Sequence, residues 1–223
     1  MVYWMDFVNF SQPWFYGKDI VIDLISLAVV LITGWFCLRN YMIDRRNSKQ
    51  LLLAAAFLLL SGSLLIKVIT NVLTHAENAF QYHAISAIGF LAHLSLMLFG
   101  FYVLYALTSR DNLTMNYVIM AYFILIMTYF ARFNYHWFHV TAVIFLGATT
   151  RRYFLSYTEN KYRNTLLLAA SFAIITLSQV FFTFTHTERW VYIAAELIQL
   201  AGYMCLAYTL LQVLENAGKK NKN

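Results

Sequence analysis

Asp23, Lys67, Asn71, His93, His139, Gln179, Glu196, Gln199 and Tyr203 all lie inside otherwise apolar runs, where polar chemistry is least expected. Ionisable groups in such surroundings are costly and usually face a cavity or a partner, so they are the first candidates for a binding site. Lys67 and Asn71 are four residues apart, which puts them on one face of a helix. Glu196 and Gln199 share a face at i and i+3, with Tyr203 one further turn on. The spacing points to Lys67 pairing with Glu196 or Asp23, because an unpaired ammonium there would lose its proton or recruit water. Three readings of Lys67 stay open: a structural ion pair, a ligand- or proton-linked site, and snorkelling to the surface.

Histidine supplies the next chemistry. His136 and His139 are three positions apart, and His75, His83 and His186 also fall near the ends of apolar runs. Neutral imidazoles bind Zn²⁺ or Cu²⁺ where three or four converge, so His136 and His139 are the weak metal candidates. Haem would need two axial histidines facing each other at one depth. His93 is the single histidine deep in a run and has no mate at its depth. The histidines therefore read mainly as interfacial hydrogen-bonding groups, and no cofactor is expected. No HExxH, GxSxG, paired aspartates or phosphate-cradling glycine loop occurs, so the chain does not read as an enzyme.

These side chains are carried by seven apolar stretches, at 20–42, 51–74, 84–107, 114–131, 135–157, 165–184 and 190–213. Each is about long enough to cross a hydrocarbon core of ~30 Å at ~1.5 Å per residue. Lipid offers the backbone no hydrogen bonds, so such runs must be helical. The expected fold is all-α: a polytopic membrane protein of seven transmembrane helices in a multi-pass cell-membrane setting. Charged residues make up 12% of the chain against ~25% in soluble domains, which agrees.

The +6 net charge is a matter of topology rather than of nucleic-acid binding. Arg39, Arg45, Arg46, Lys49, Arg110, Arg151, Arg152, Lys161, Arg163, Lys219, Lys220 and Lys222 fall on one side, whereas Lys18, Arg132 and Arg189 fall on the other. Positive loops stay in the cytoplasm, so the N-terminus is expected outside and the C-terminus inside. Trp4, Phe7, Phe10, Trp14, Phe15 and Tyr16 make residues 1–17 an outer interfacial amphipathic segment, without the pattern of a signal peptide. Residues 18–214 form the seven-helix membrane domain and 215–223 a basic cytoplasmic tail. Cys37 and Cys205 imply no disulfide and read as small core residues. The spans lack proline, and Ser61-Gly62-Ser63 is the best remaining hinge in an otherwise rigid bundle.

Leu51-Leu52-Leu53-Ala54-Ala55-Ala56-Phe57 recurs as Leu166-Leu167-Leu168-Ala169-Ala170-Ser171-Phe172, with Ser63 and Ser178 at the same offset. Leu98-Phe99-Gly100-Phe101 is echoed by Leu200-Ala201-Gly202-Tyr203. Two three-helix units joined by the fourth helix follow, and one intervening span makes them a parallel repeat. The layout resembles the three-plus-one-plus-three bundles of SWEET-like and PQ-loop transporters and of microbial rhodopsins. The PQ-loop pair is absent, since Pro13 is the single proline and follows Gln12. The rhodopsin resemblance would imply a retinal-bearing lysine in the last span, where 190–213 holds Glu196 and no lysine, so retinal is rejected. The run Leu197-Ile198-Gln199-Leu200-Ala201-Gly202-Tyr203 resembles the seven-helix sensory modules that precede prokaryotic histidine kinases. That resemblance implies signalling through a separate partner.

The expectation is thus a sensor- or receptor-like membrane module with an outward-facing polar pocket. The pocket would take a small ligand, and the basic cytoplasmic loops would meet a protein partner. A small-solute transporter and an accessory or scaffold subunit are the alternatives.

Overall fold

The computed structural model describes residues 14–15, 17–43, 45, 48–76, 79–108, 113–131, 134–185 and 189–220, with side chains from 74–76, 79–84, 113–119, 189 and 214–220 left aside. Among the described residues seven helices make up the fold: α1 (Lys18–Ile43), α2 (Ser48–Ala76), α3 (Ala79–Thr108), α4 (Leu113–Ala131), α5 (His136–Asn160), α6 (Arg163–Thr183) and α7 (Arg189–Lys220). Of the N-terminal interfacial segment only Trp14, Phe15 and Gly17 belong to the described residues; the rest, like residues 221–223 of the basic tail, lies outside them.

Among the described residues five helices are long and apolar enough to cross a membrane, which fits a helical membrane protein: α1, α2, α3, α6 and α7. Over its described side chains α4 offers a shorter apolar stretch, Met120–Ala131. α5 falls short because His136, His139 and three threonines interrupt it before Arg151 and Arg152. Several helices outrun their apolar stretches. α7 continues to Lys220, because once a helix is nucleated each further residue adds one backbone hydrogen bond whatever its hydropathy.

The backbones pack in the cyclic order α1–α2–α3–α5–α6–α7 and back to α1, with α4 outside this ring against α3 and α5. α3 is the most enclosed span, 61% of it buried, because it meets α2, α4 and α5. Phe57, Leu60, Leu98, Phe101, Phe172, Ile175 and Leu206 belong to the buried core. Outward faces are as apolar as inward ones: Leu24, Leu31, Trp35, Leu58, Ile88, Ile144 and Leu197 are all exposed. A surface of that kind needs a cover, and lipid supplies one.

Equivalent positions of α2 and α6 are buried together. Ala54, Ala56, Phe57, Leu60, Ser63 and Leu64 are matched by Ala169, Ser171, Phe172, Ile175, Ser178 and Gln179. The two glycines follow suit. A methyl on Gly100 would stand 2.8 Å from Leu60 Cγ, and one on Gly202 would stand 2.5 Å from Ile175 Cγ1. Glycine lets α3 close on α2 and α7 close on α6 in the same way.

Two expectations change. α2 runs unbroken through Ser61-Gly62-Ser63, because the Ser61 hydroxyl turns back to the Leu58 carbonyl at 3.0 Å and leaves the main chain helical. Cys37 is buried, but Cys205 is exposed on the outer face of α7.

Candidate functional site

α1 begins at one end of the bundle, α2 returns there, and α7 starts there beside α1. This brings early residues of α1 and α7 level with late residues of α2. Lys67 Nζ donates to Asp23 Oδ1 at 2.9 Å and to Glu196 Oε1 at 3.0 Å. All three residues are buried. The ammonium thus bridges two carboxylates, tying three helices with one side chain. Buried ion pairs repay their desolvation only through such close geometry.

Around this triad the remaining polar candidates also point inward. Asn71, His93, His139, Gln179, Gln199 and Tyr203 are all buried. Several of their contacts join neighbouring helices. His139 Nδ1 donates to Gln179 Oε1 at 2.9 Å, linking α5 to α6, and Gln199 Nε2 donates to Tyr203 Oη at 3.0 Å along α7. His93 meets Ser63 reciprocally: the Ser63 hydroxyl donates to the His93 carbonyl at 3.0 Å, and His93 Nδ1 lies 3.0 Å from the Ser63 carbonyl. Among the described residues no three His, Cys, Asp or Glu side chains converge to hold a metal ion. His136 is half-buried, with its backbone N–H donating to Asn134 Oδ1 at 3.0 Å. The side chains of His75, His83 and His186 lie outside the described residues.

Further residues belong to the site. Asp19 is fully buried one turn before Asp23 and within its electrostatic reach. Its i, i+4 spacing to Asp23 is the signal that marks it. Phe15, Phe182, Tyr192 and Ala195 make a second buried apolar cluster at the same end. Tyr192 meets Phe15 edge-on at 5.9 Å and Phe182 edge-on at 6.1 Å, while Phe182 stacks on His139 at 5.2 Å. Tyr192 is one turn before Glu196, so this aromatic cover lies between the triad and the end of the bundle.

Towards the other end the buried residues become apolar: Cys37, Phe57, Leu60, Phe101, Leu146, Phe172 and Leu206. The threonines buried there satisfy themselves. Thr33 donates to Val29 O, Thr149 to Phe145 O and Thr209 to Cys205 O, all at 2.7–2.8 Å. The bundle therefore carries a covered cluster of buried polar residues at one end and apolar packing beneath it. No family model, no curated protein and no solved structure matches this chain.

Proposed function

We propose that the chain is a sensor- or receptor-like module of the cell membrane. In this reading it crosses the bilayer seven times, with the N-terminus outside and the C-terminus in the cytoplasm. The observation that carries it is the one-sided polarity of the interior: the Asp23–Lys67–Glu196 triad sits towards one end of the bundle, above apolar packing, and in this reading that end is the outer one. Packing of that kind suits a site that is occupied and emptied from one side. The change in occupancy passes down α1, α2 and α7, which the triad joins, to the basic loops bearing Arg45, Lys49, Arg151 and Lys161. Those loops would meet a separate protein partner. Cysteines at Arg45 and Thr158, both exposed, placed in a chain with Cys37 and Cys205 replaced, would carry spin labels. Glu196→Gln should shift the label-to-label distance by several Å. An unchanged distance alongside a lowered melting temperature would leave the triad purely structural.

A transporter is the second reading, favoured by the equivalent burial of α2 with α6 and of Gly100 with Gly202. That equivalence supports a parallel repeat of α1–α3 and α5–α7 joined by α4. Counterflow of labelled solutes in proteoliposomes separates the two: a sensor gives none.

A further inference from the structure

The triad holds more negative than positive charge. Two carboxylates, Asp23 and Glu196, share one ammonium, so full ionisation would leave a net charge of −1 (−1 −1 +1) in a buried place. Asp19 is also buried but makes no ion pair with Lys67 among the described residues, so it stands outside the triad. Its Oδ1 accepts the backbone N–H of Ile20 at 2.9 Å. Asp19 Oδ2 and Asp23 Oδ2 have no hydrogen-bond partner among the described residues. Among the described residues, the charged and titratable groups around the triad are Asp19 from α1, Lys67 from α2, His93 from α3, His139 and Tyr135 at the start of α5, and Tyr192 and Tyr203 from α7. α6 contributes the neutral Gln179. Of these, Lys67 is the cationic side chain that meets both carboxylates.

An excess carboxylate in a low-dielectric interior is relieved by gaining a positive charge. A metal cation would need several convergent oxygen ligands, and no three acidic or histidine side chains converge among the described residues. A proton needs one. We infer that the triad binds one exchangeable proton, shared between Asp23 and Glu196 and seated at Asp23 Oδ2, so that the ligand of the site is the proton. Uptake turns one carboxylate into a carboxylic acid and takes the triad from −1 to neutral; release returns the proton to water, and no other bond changes. The Phe15–Tyr192–Phe182 cover keeps bulk water off the site while leaving it open to a proton carried on transient water. This deepens the sensing reading and depends on it for its consequence, a response to external acidity.

Infrared spectroscopy of the full chain in nanodiscs, titrated with acid and alkali in choline chloride, tests it. The wild type should show the C=O stretch of a buried protonated carboxyl at neutral pH, fading as the pH is raised. Charge counting fixes the variants. Asp23→Asn and Glu196→Gln should each lose the band, because removing either carboxylate already balances Lys67. Lys67→Met should roughly double it, because two carboxylates are then uncompensated. No band in the wild type, a band of full strength in both carboxyl variants, or its removal by sodium chloride would each overturn the proposal. The wild-type titration and the sodium test stand even where a variant does not fold. The Arg45–Thr158 distance is read on the same samples. A band that titrates without movement keeps the proton site and sinks the sensing role; movement on Glu196→Gln without a band does the reverse.

Discussion

Lys67 and Glu196 lie 129 positions apart in the chain and meet at 3.0 Å inside the bundle. The same ammonium holds Asp23 at 2.9 Å, so the closure of α7 onto α1 runs through a residue of α2. Removing Lys67 strands two carboxylates; removing Glu196 strands none, since Asp23 remains for the ammonium. Lys67→Met should therefore be the costlier change, by about 3–5 kcal/mol, as for other broken buried pairs. Glu196→Gln should cost less, and the double variant less than the sum of the two. Thermal unfolding in detergent, followed by circular dichroism, measures all three. Strictly additive losses would remove the coupling.

Gly100 and Gly202 make a second test, of packing. A methyl at Gly202 would press on Ile175 at 2.5 Å, and one at Gly100 on Leu60 at 2.8 Å, whereas one at Gly147 meets nothing within 4 Å. Gly202→Ala and Gly100→Ala should each destabilise by about 1–3 kcal/mol through overpacking. Gly147→Ala should be neutral or stabilise by up to about 1 kcal/mol through helix propensity. If all three behave alike in the same melting assay, the close approaches are not what holds these helix pairs.

How deep a residue lies is legible from its place in an apolar run; which way it faces is not. That is why Asp23, Lys67 and Glu196 stand out as candidates on sequence, while the choice between Asp23 and Glu196 as partner of Lys67 stays open there. The helix rotations settle it by bringing both carboxylates to one ammonium. His93 lacks a visible mate because its partner, Ser63, is a small residue in a Leu-rich stretch and gives no signal of its own. Phe15 and Tyr192 look like membrane-interface aromatics by composition, and only the packing of the N-terminal turn onto α7 turns them into a cover. α5 is the hardest helix to read, since its inward face carries threonines and a histidine that lower its hydropathy without making it exposed.

Arg152 closes α3 from α5. Its Nη1 donates to the Thr108 carbonyl at 2.7 Å, in the last turn of α3, and its guanidinium lies 5.2 Å from the Tyr105 ring centroid. A cation there satisfies one of the carbonyls that a helix C-terminus leaves unpaired. Arg152→Ala should raise amide hydrogen exchange in residues 104–108 and cost about 1–2 kcal/mol, summing one charge-assisted bond and one ring contact. Arg152→Lys should recover only part of this, since a lysine does not reproduce a planar group that bonds and stacks together. Full recovery with lysine would reduce the contact to simple charge.

Ser63 and Ser178 occupy equivalent places in α2 and α6, and both are buried, yet they do different work. Ser178 donates to the Ile175 carbonyl of its own helix at 2.7 Å, a group already within the helical ladder. Ser63 instead reaches α3, 3.0 Å from the His93 carbonyl and 2.7 Å from His93 Nδ1. Ser178→Ala removes a donor and a local acceptor contact together, so it should change stability by less than about 0.5 kcal/mol. Ser63→Ala takes a hydrogen-bond partner from a buried imidazole and should cost about 1–3 kcal/mol. Solution NMR of ¹⁵N-histidine-labelled protein gives a reading that bulk packing would not move: the His93 ring nitrogen shifts should change in Ser63→Ala and stay put in Ser178→Ala. Equal shifts in both variants would mean that the histidine senses the bundle as a whole rather than its serine.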